Sequence, residues 1–233
     1  MFRFYNSILR HATLFNGKKV LITAGPTYEP LDPVRFIGNH STGKMGFALA
    51  RCLAQEGAAV SLIAGPTSLT LSHPLVQVMP VMTADEMFAA CQRKSEEADL
   101  WIFAAAVADY KPKDPATSKI KKNDDSFTIE LVKNVDIAAT LGKQKRANQF
   151  AVGFALETDQ ELENARGKLL KKNLDMVVLN SLRDPGAGFR HDTNKITIVK
   201  PSTVEEYALK AKDEVAQDIL ESIKAEWACL QKK

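Results

Sequence analysis

VLITAG at Val20 to Gly25, FALARCLAQEGA at Phe47 to Ala58 and VSLIAG at Val60 to Gly65 follow one another as a short apolar run, a longer amphipathic run and a second apolar run. Phe47, Leu49, Ala50, Leu53 and Ala54 fall at helical spacing, and Gly57 is a helix stop. A buried strand, a helix and a second buried strand in that order make a βαβ unit, which requires parallel strands and a right-handed crossover. The expected class is α/β: a Rossmann-like, mainly parallel sheet with helices on both faces.

Working outward, the alternation continues. VQVMPV (Val76 to Val81) reads as a weaker strand, and TADEMFAACQRK as a helix with Thr83 as N-cap and Glu86 at the capping-box position. WIFAAAVA is the next strand, followed by a stretch rich in lysine, proline and aspartate from Lys111 to Asp125. FTIELV alternates as an extended flap strand, and a short helix is expected near Asp136 to Leu141. AVGFALE and MVVLN are strands flanking a helix over Glu161 to Lys172, ITIV is a late strand, and Val204 to Trp227 reads as a long closing helix. Nothing resembles an internal repeat or linker, so residues 18 to 233 are expected to form a single domain.

Hydrophobic residues make up 45% and charged residues 25%, which excludes wholesale disorder. A formal charge of +3 is too small to argue for nucleic acid. The three cysteines, Cys52, Cys91 and Cys229, lack metal-type spacing and read as buried small hydrophobes in a reducing compartment, so a cytoplasmic location is expected. No apolar run approaches the roughly 18 residues of a membrane span. Residues 1 to 17 carry Arg3 and Arg10 among apolar side chains and no acid, and are read as a tail.

Three places concentrate glycine and lysine. The first is the connection from Pro26 to Thr42, about 17 residues long, against a usual range of roughly two to six for such loops. It ends in Gly43-Lys44-Met45-Gly46 at a helix start, where unpaired N–H groups and the helix dipole favour an anion, with Ser41 or Thr42 as the expected cap. GNHSTGKM matches the P-loop pattern except at Met45, which cannot supply the hydroxyl that binds magnesium. An anion-binding loop of another kind and a chance match in a capping loop both remain open. The second place is AAAVADYKPKD, where Ala104, Ala105, Ala106 and Ala108 keep a strand end free of bulk before Asp109. A flat ligand fits against alanines, and a carboxylate there suits a magnesium–phosphate group or a nucleotide, although Asp109 could equally start a turn. The third is the lysines: Lys119, Lys121 and Lys122, then Lys168 and Lys172 as i,i+4 neighbours whose repulsion a polyphosphate would relieve. A solvated helix face and a basic loop are the plainer explanation.

Together ITAGPTYEPLDPVRFIGNHSTGKMG, AAAVADYKP, KIKK, LVKNVDI, VGFALET, KLLKKNLDMVVLN and the F-x-x-x-x-N of Phe189 to Asn194 resemble the phosphopantothenoylcysteine synthetase family, in its bacterial CTP-using branch. The likeness runs from about Gly17 to about Ile223. It implies a ligase of coenzyme A biosynthesis, in which the 4′-phosphopantothenate carboxylate attacks the α-phosphorus of CTP and L-cysteine then displaces CMP. No flavin chemistry is expected, because the decarboxylase domain that commonly precedes this one is not in the sequence.

The resemblance also implies roles. Lys119 would stabilise the pentacoordinate phosphorus, Asn39 would hold the acyl phosphate, and Arg35 would orient the phosphopantothenate. Asp109, Lys168 and Lys172, with Ala105 and Ala106, match nucleotide-contacting positions, the two alanines also lining the substrate; so do Asp136 and Ile137, Phe154 beside the base, and Gly43 at the turn. Asn180 would approach the acyl intermediate, and magnesium would come with the nucleotide at Asp109. Val135 departs from the family's frequent proline, and Thr42 from its frequent serine. Family members are dimers with a flap near the interface, so a homodimer is expected, with FTIELV contributing. A P-loop hydrolase or kinase, a nicotinamide-dependent reductase and a nucleotide sensor are the competing functions. The reductase would need a Tyr-x-x-x-Lys pair, yet Tyr110 is followed by Asp114 and Tyr207 by Ala211.

Overall fold

A computed structural model describes residues 13–121, 126–157, 159–181 and 192–230. In chain order the elements are β1 (Lys19–Ala24), β2 (Tyr28–Pro30), β3 (Phe36–Gly38), α1 (Lys44–Gln55), β4 (Ala59–Ala64), β5 (Val76–Pro80) and α2 (Ala84–Ser95). Next come β6 (Leu100–Phe103), β7 (Tyr110–Pro112), β8 (Leu131–Lys133), α3 (Ile137–Gly142), β9 (Phe150–Glu157), α4 (Glu161–Lys171) and β10 (Met176–Ser181). The chain closes with β11 (Thr193–Asn194), β12 (Ile196–Val199), β13 (Val204–Glu206), β14 (Lys210–Ala211) and α5 (Lys212–Leu230).

Eight strands form the central sheet in the order β13-β12-β10-β9-β6-β1-β4-β5. The six from β10 to β5 are parallel, and β12 and β13 extend one edge antiparallel. Strand side chains alternate between faces, and each face has its own core. Val20, Ile22, Leu62, Ile102 and Val178 meet α1 and α5. Leu21, Ile63, Trp101, Val177 and Leu179 meet α2, α3 and α4. Gly46 lets α1 lie directly on β1, since a Cβ there would stand 2.5 Å from that of Ala24. Phe15, fully buried, packs 5.4 Å from the Trp227 ring and joins the core with Leu14 packed against it, while Asn16 and Gly17 are exposed; residues 1 to 12 lie outside the described residues.

The expected strands and helices of the sheet are present, with three corrections. The closing helix starts at Lys212, not Val204, because Val204–Glu206 pairs with β12 as an edge strand. Within FTIELV only Leu131 and Val132 pair, against β7, so the flap is mostly unladdered. The strand WIFAAAVA ends at Phe103, beyond which the Thr23 and Thr27 hydroxyls accept from Ala105 and Ala108 while Ala104 and Ala106 keep backbone partners. The long connection after β1 contains an unforeseen hairpin, β2–β3, with Tyr28 and Phe36 stacked at 3.8 Å. Cys52 and Cys91 are buried as expected, and burial pushes the Cys91 thiol up to about 12, whereas Cys229 is exposed. No helix among the described residues is long and apolar enough to cross a membrane.

Candidate active site

The strand order reverses at β1, with β4 on one side and β6 on the other. Chains leaving the carboxyl ends of two such strands diverge to opposite faces and open a crevice between them. Here the crevice is a cavity of about 440 Å³. Its floor is the alanine run after β6. Thr23 Oγ1 accepts from the Ala105 N–H at 3.2 Å and Thr27 Oγ1 from the Ala108 N–H at 3.0 Å, while Ala106 N–H donates to the Gly25 carbonyl at 2.9 Å. Thr23 and Thr27 are buried, so the floor is held by hydrogen bonds shielded from water.

One wall is the start of α1. Gly43 is the N-cap, at φ +82°, and no side chain caps the helix, contrary to the expectation for Ser41 or Thr42. The left-handed turn at Gly43 directs the chain into the helix without a capping side chain, so the first N–H groups open toward the cavity. The Asn39 side chain donates to the Ala106 carbonyl at 2.9 Å, joining this loop to the floor. The opposite wall carries α3 and α4. Asp136 caps α3 by accepting from the Ala139 N–H at 3.0 Å and pairs with Lys172 at 2.9 Å; Lys168 pairs with Glu157 at 2.6 Å. Each of the two lysines is thus matched by a carboxylate.

Of the anticipated site residues, Asn39, Gly43, Ala105, Ala106, Asp109, Asp136, Ile137, Phe154, Lys168, Lys172 and Asn180 line this one cavity. Arg35 and Lys119 do not; they sit on an adjoining apron made of the β2–β3 and β7–β8 hairpins and the chain between β7 and β8. There Asp32, buried, accepts from the backbone of Val34, Arg35 and Ile120 at 2.8, 2.8 and 3.1 Å and from the Arg35 Nε at 3.0 Å. The Arg35 guanidinium holds the Asp32 carboxyl well below the usual carboxylate range, and in turn donates to the Ile120 carbonyl at 3.0 Å. Lys119 itself is exposed. Lys122 and Phe189 lie outside the described residues.

Four further residues line the cavity: Lys44, Asn134 and Asn194, which stand in the quoted motifs without an assigned role, and Lys212, which sequence reasoning missed. Lys44 pairs with Asp192, and burial, followed by the Lys44 charge, lowers the Lys212 ammonium pKa. The only sequence signal for Lys44 was the glycine-lysine turn; Lys212 sits where a long helix interior was expected. Among the described residues no group of three or more metal-binding side chains occurs; the carboxylates that line the cavity are Asp109 and Asp136, the latter paired with Lys172.

The chain is 46% identical, over 90% of its length and 52% of the relative's, to the coenzyme A biosynthesis bifunctional protein CoaBC of Bacillus subtilis. It is 52% identical, over 89% of its length, to a protein of an unknown prokaryotic organism named cysteine/cysteine sulfinic acid decarboxylase, of which it covers 58%. The chain therefore spans about half the length of the curated relatives it matches. A crystal structure of the C-terminal domain of a CoaBC protein superposes with a TM-score of 0.77 at 40% identity, covering 91% of this chain and 96% of that one. The family model for the C-terminal domain of DNA/pantothenate metabolism flavoproteins matches residues 15–226, and this chain belongs to that family.

Proposed function

We propose that the chain is the ligase domain of coenzyme A biosynthesis that joins 4′-phosphopantothenate to L-cysteine through an acyl-cytidylate. The observation that carries this reading is the cavity itself: an uncapped helix N-terminus, Asn39, Asp109 and two lysines from separate segments converge on one bare alanine floor. Family membership and the likeness to a CoaBC C-terminal domain support it.

In the first step a phosphopantothenate carboxylate oxygen forms a bond to the α-phosphorus of CTP as the bond to pyrophosphate breaks. The α1 N-terminus, Lys168 and Lys172 receive the triphosphate, exchanging their present carboxylate partners for phosphate oxygens. In the second, the cysteine amine bonds to the acyl carbon, CMP departs and the amine loses a proton. Asn39, tethered to Ala106, holds the reacting acyl group. Neither step needs a protein nucleophile; positioning and charge stabilisation carry the rate. Asp109 would hold magnesium through its carboxylate, and the ion would supply charge neutralisation to the triphosphate. That donor set fits magnesium, which favours few protein ligands.

Arg35 and Lys119 complete the site from the apron. Phe36 is 52% exposed and Phe127 59%, and Tyr110, Ile129 and Leu131 are exposed on the same apron. Such a patch suits a second copy of the chain, so the assembly is a homodimer in which paired aprons bring Lys119 and Arg35 beside a cavity.

Incubation with CTP, magnesium, phosphopantothenate and cysteine tests the reading by following pyrophosphate. Release that requires phosphopantothenate is expected, with CTP preferred to ATP at equal concentration; release without the acid overturns it.

A further inference from the structure

Two carboxamide oxygens of cavity-lining residues, Asn134 Oδ1 and Asn194 Oδ1, are buried with no hydrogen-bond partner. Asn134 is tied to the backbone, its Nδ2 donating to the Ala108 carbonyl at 2.8 Å, whereas Asn194 adjoins a second carboxamide of the site. It lies on β11, is 4% exposed, and lines the cavity. Its Nδ2 donates to the Asn180 Oδ1 at 2.8 Å, while its own Oδ1 is buried with no hydrogen-bond partner. A buried acceptor left unpaired costs free energy, so its retention in a cavity wall points to a ligand that completes it. The ligand atom must be a donor. Phosphate oxygens and carboxylates carry no proton near neutral pH and would be repelled by the carbonyl oxygen, so the triphosphate and the acid group are excluded from this spot.

Among the reactants the reading above requires, one has a donor that must be oriented for the chemistry: the amine that attacks the acyl carbon. Lys212 and Lys44, the latter paired with Asp192, line the same cavity, as do Asp109 and Asp136, and the attacking form of the nucleophile is the neutral amine, which keeps N–H donors beside its free electron pair. We propose that Asn194 binds the α-amino group of the amino-acid nucleophile through Oδ1, while its Nδ2 fixes the carboxamide of Asn180. The adjoining amides then serve opposite partners: Asn194 accepts from the nucleophile, and Asn180, its carbonyl already engaged, has its NH₂ left to donate to the acyl intermediate.

This rests on the ligase reading, and the experiment separates the two. Pyrophosphate release from CTP and phosphopantothenate is followed first without cysteine and then with it, in wild type, Asn194→Ala and Asn194→Asp. For the alanine variant the KM for cysteine rises at least ten-fold, and amide formation slows at least ten-fold more than pyrophosphate release. Equal slowing of both steps, or a rise in KM confined to CTP or phosphopantothenate, overturns the proposal. Asn194→Asp is nearly isosteric and decides the matter should the alanine variant fail to fold. Its carboxylate keeps an acceptor but stabilises ammonium, so the pH profile of amide formation moves alkaline by about one unit; an unmoved profile overturns the proposal. A wild-type protein with no phosphopantothenate-dependent release defeats the ligase reading instead.

Discussion

Around the cavity, Thr23 and Thr27 fix the alanine floor through bonds of 3.2 and 3.0 Å to backbone already adjoining the central sheet, whereas in the apron one carboxylate, Asp32, gathers three backbone N–H groups and Arg35. The floor is an extension of a buried parallel sheet. The apron is two short hairpins whose large side chains, Phe36 and Phe127 among them, face outward. A sheet edge buried on both faces can position groups within one chain; small hairpins with little core of their own gain rigidity from a few polar anchors and from whatever covers them. The difference divides the labour of the proposed site: nucleotide and substrate lie on the rigid part, and Lys119 and Arg35 arrive on the part that pairing between copies would order.

The sharpest way to break this division is Lys119→Gln. Loss of a charge that stabilises the transition state slows pyrophosphate release in the absence of cysteine by about 10²- to 10³-fold; a change of less than a few-fold by rapid quench would leave Lys119 a surface lysine. On the rigid side, Asn39→Asp is expected to activate the acid yet transfer it to cysteine roughly ten-fold more slowly, and normal turnover would reduce Asn39 to a tether for Ala106. Replacing Phe36 and Phe127 together by serine weakens self-association by about ten-fold or more in sedimentation, which is about 1.4 kcal/mol or more for the two buried contacts. Self-association unaffected by the pair would place the interface elsewhere. Thr27→Val leaves the Ala108 N–H buried without its acceptor and costs about 1–3 kcal/mol in urea unfolding. A loss near zero would show that the floor does not depend on that hydroxyl.

The smallest effect is in the pH dependence of the apron anchor. The folded state holds the Asp32 pKa below its unfolded value, so the stabilisation is fully present above the unfolded carboxylate pKa, about 4, and is lost as pH falls through the lower folded value. Melting temperatures of wild type and Asp32→Asn should differ most near neutrality and converge under acid. A constant gap from neutral pH to pH 3 would mean that the charge on Asp32 contributes nothing.

Much of this molecule is written locally. Alternating apolar and amphipathic runs settle the strands, the helices and their parallel arrangement, because burial on both faces demands continuous apolar strands and a crossover helix between them. Thr83 shows how local a signal can be: its side chain accepts from the Glu86 N–H at 3.2 Å, as the capping pattern requires. The eleven anticipated residues that line the cavity were legible through their motifs, since the loops that follow parallel strands share one edge of the sheet. Other features depend on partners distant in the chain. Val204–Glu206 looks helical until β12 offers it an edge, and Asp32 is an ordinary loop acid until Ile120, 88 positions away, closes its shell. Asn194 acquires meaning only beside Asn180, and Lys212 only beside Lys44. Periodicity and caps act over a few residues and so belong to the sequence alone; burial of a polar group, and the partner that satisfies or fails to satisfy it, exist only once distant segments have packed together.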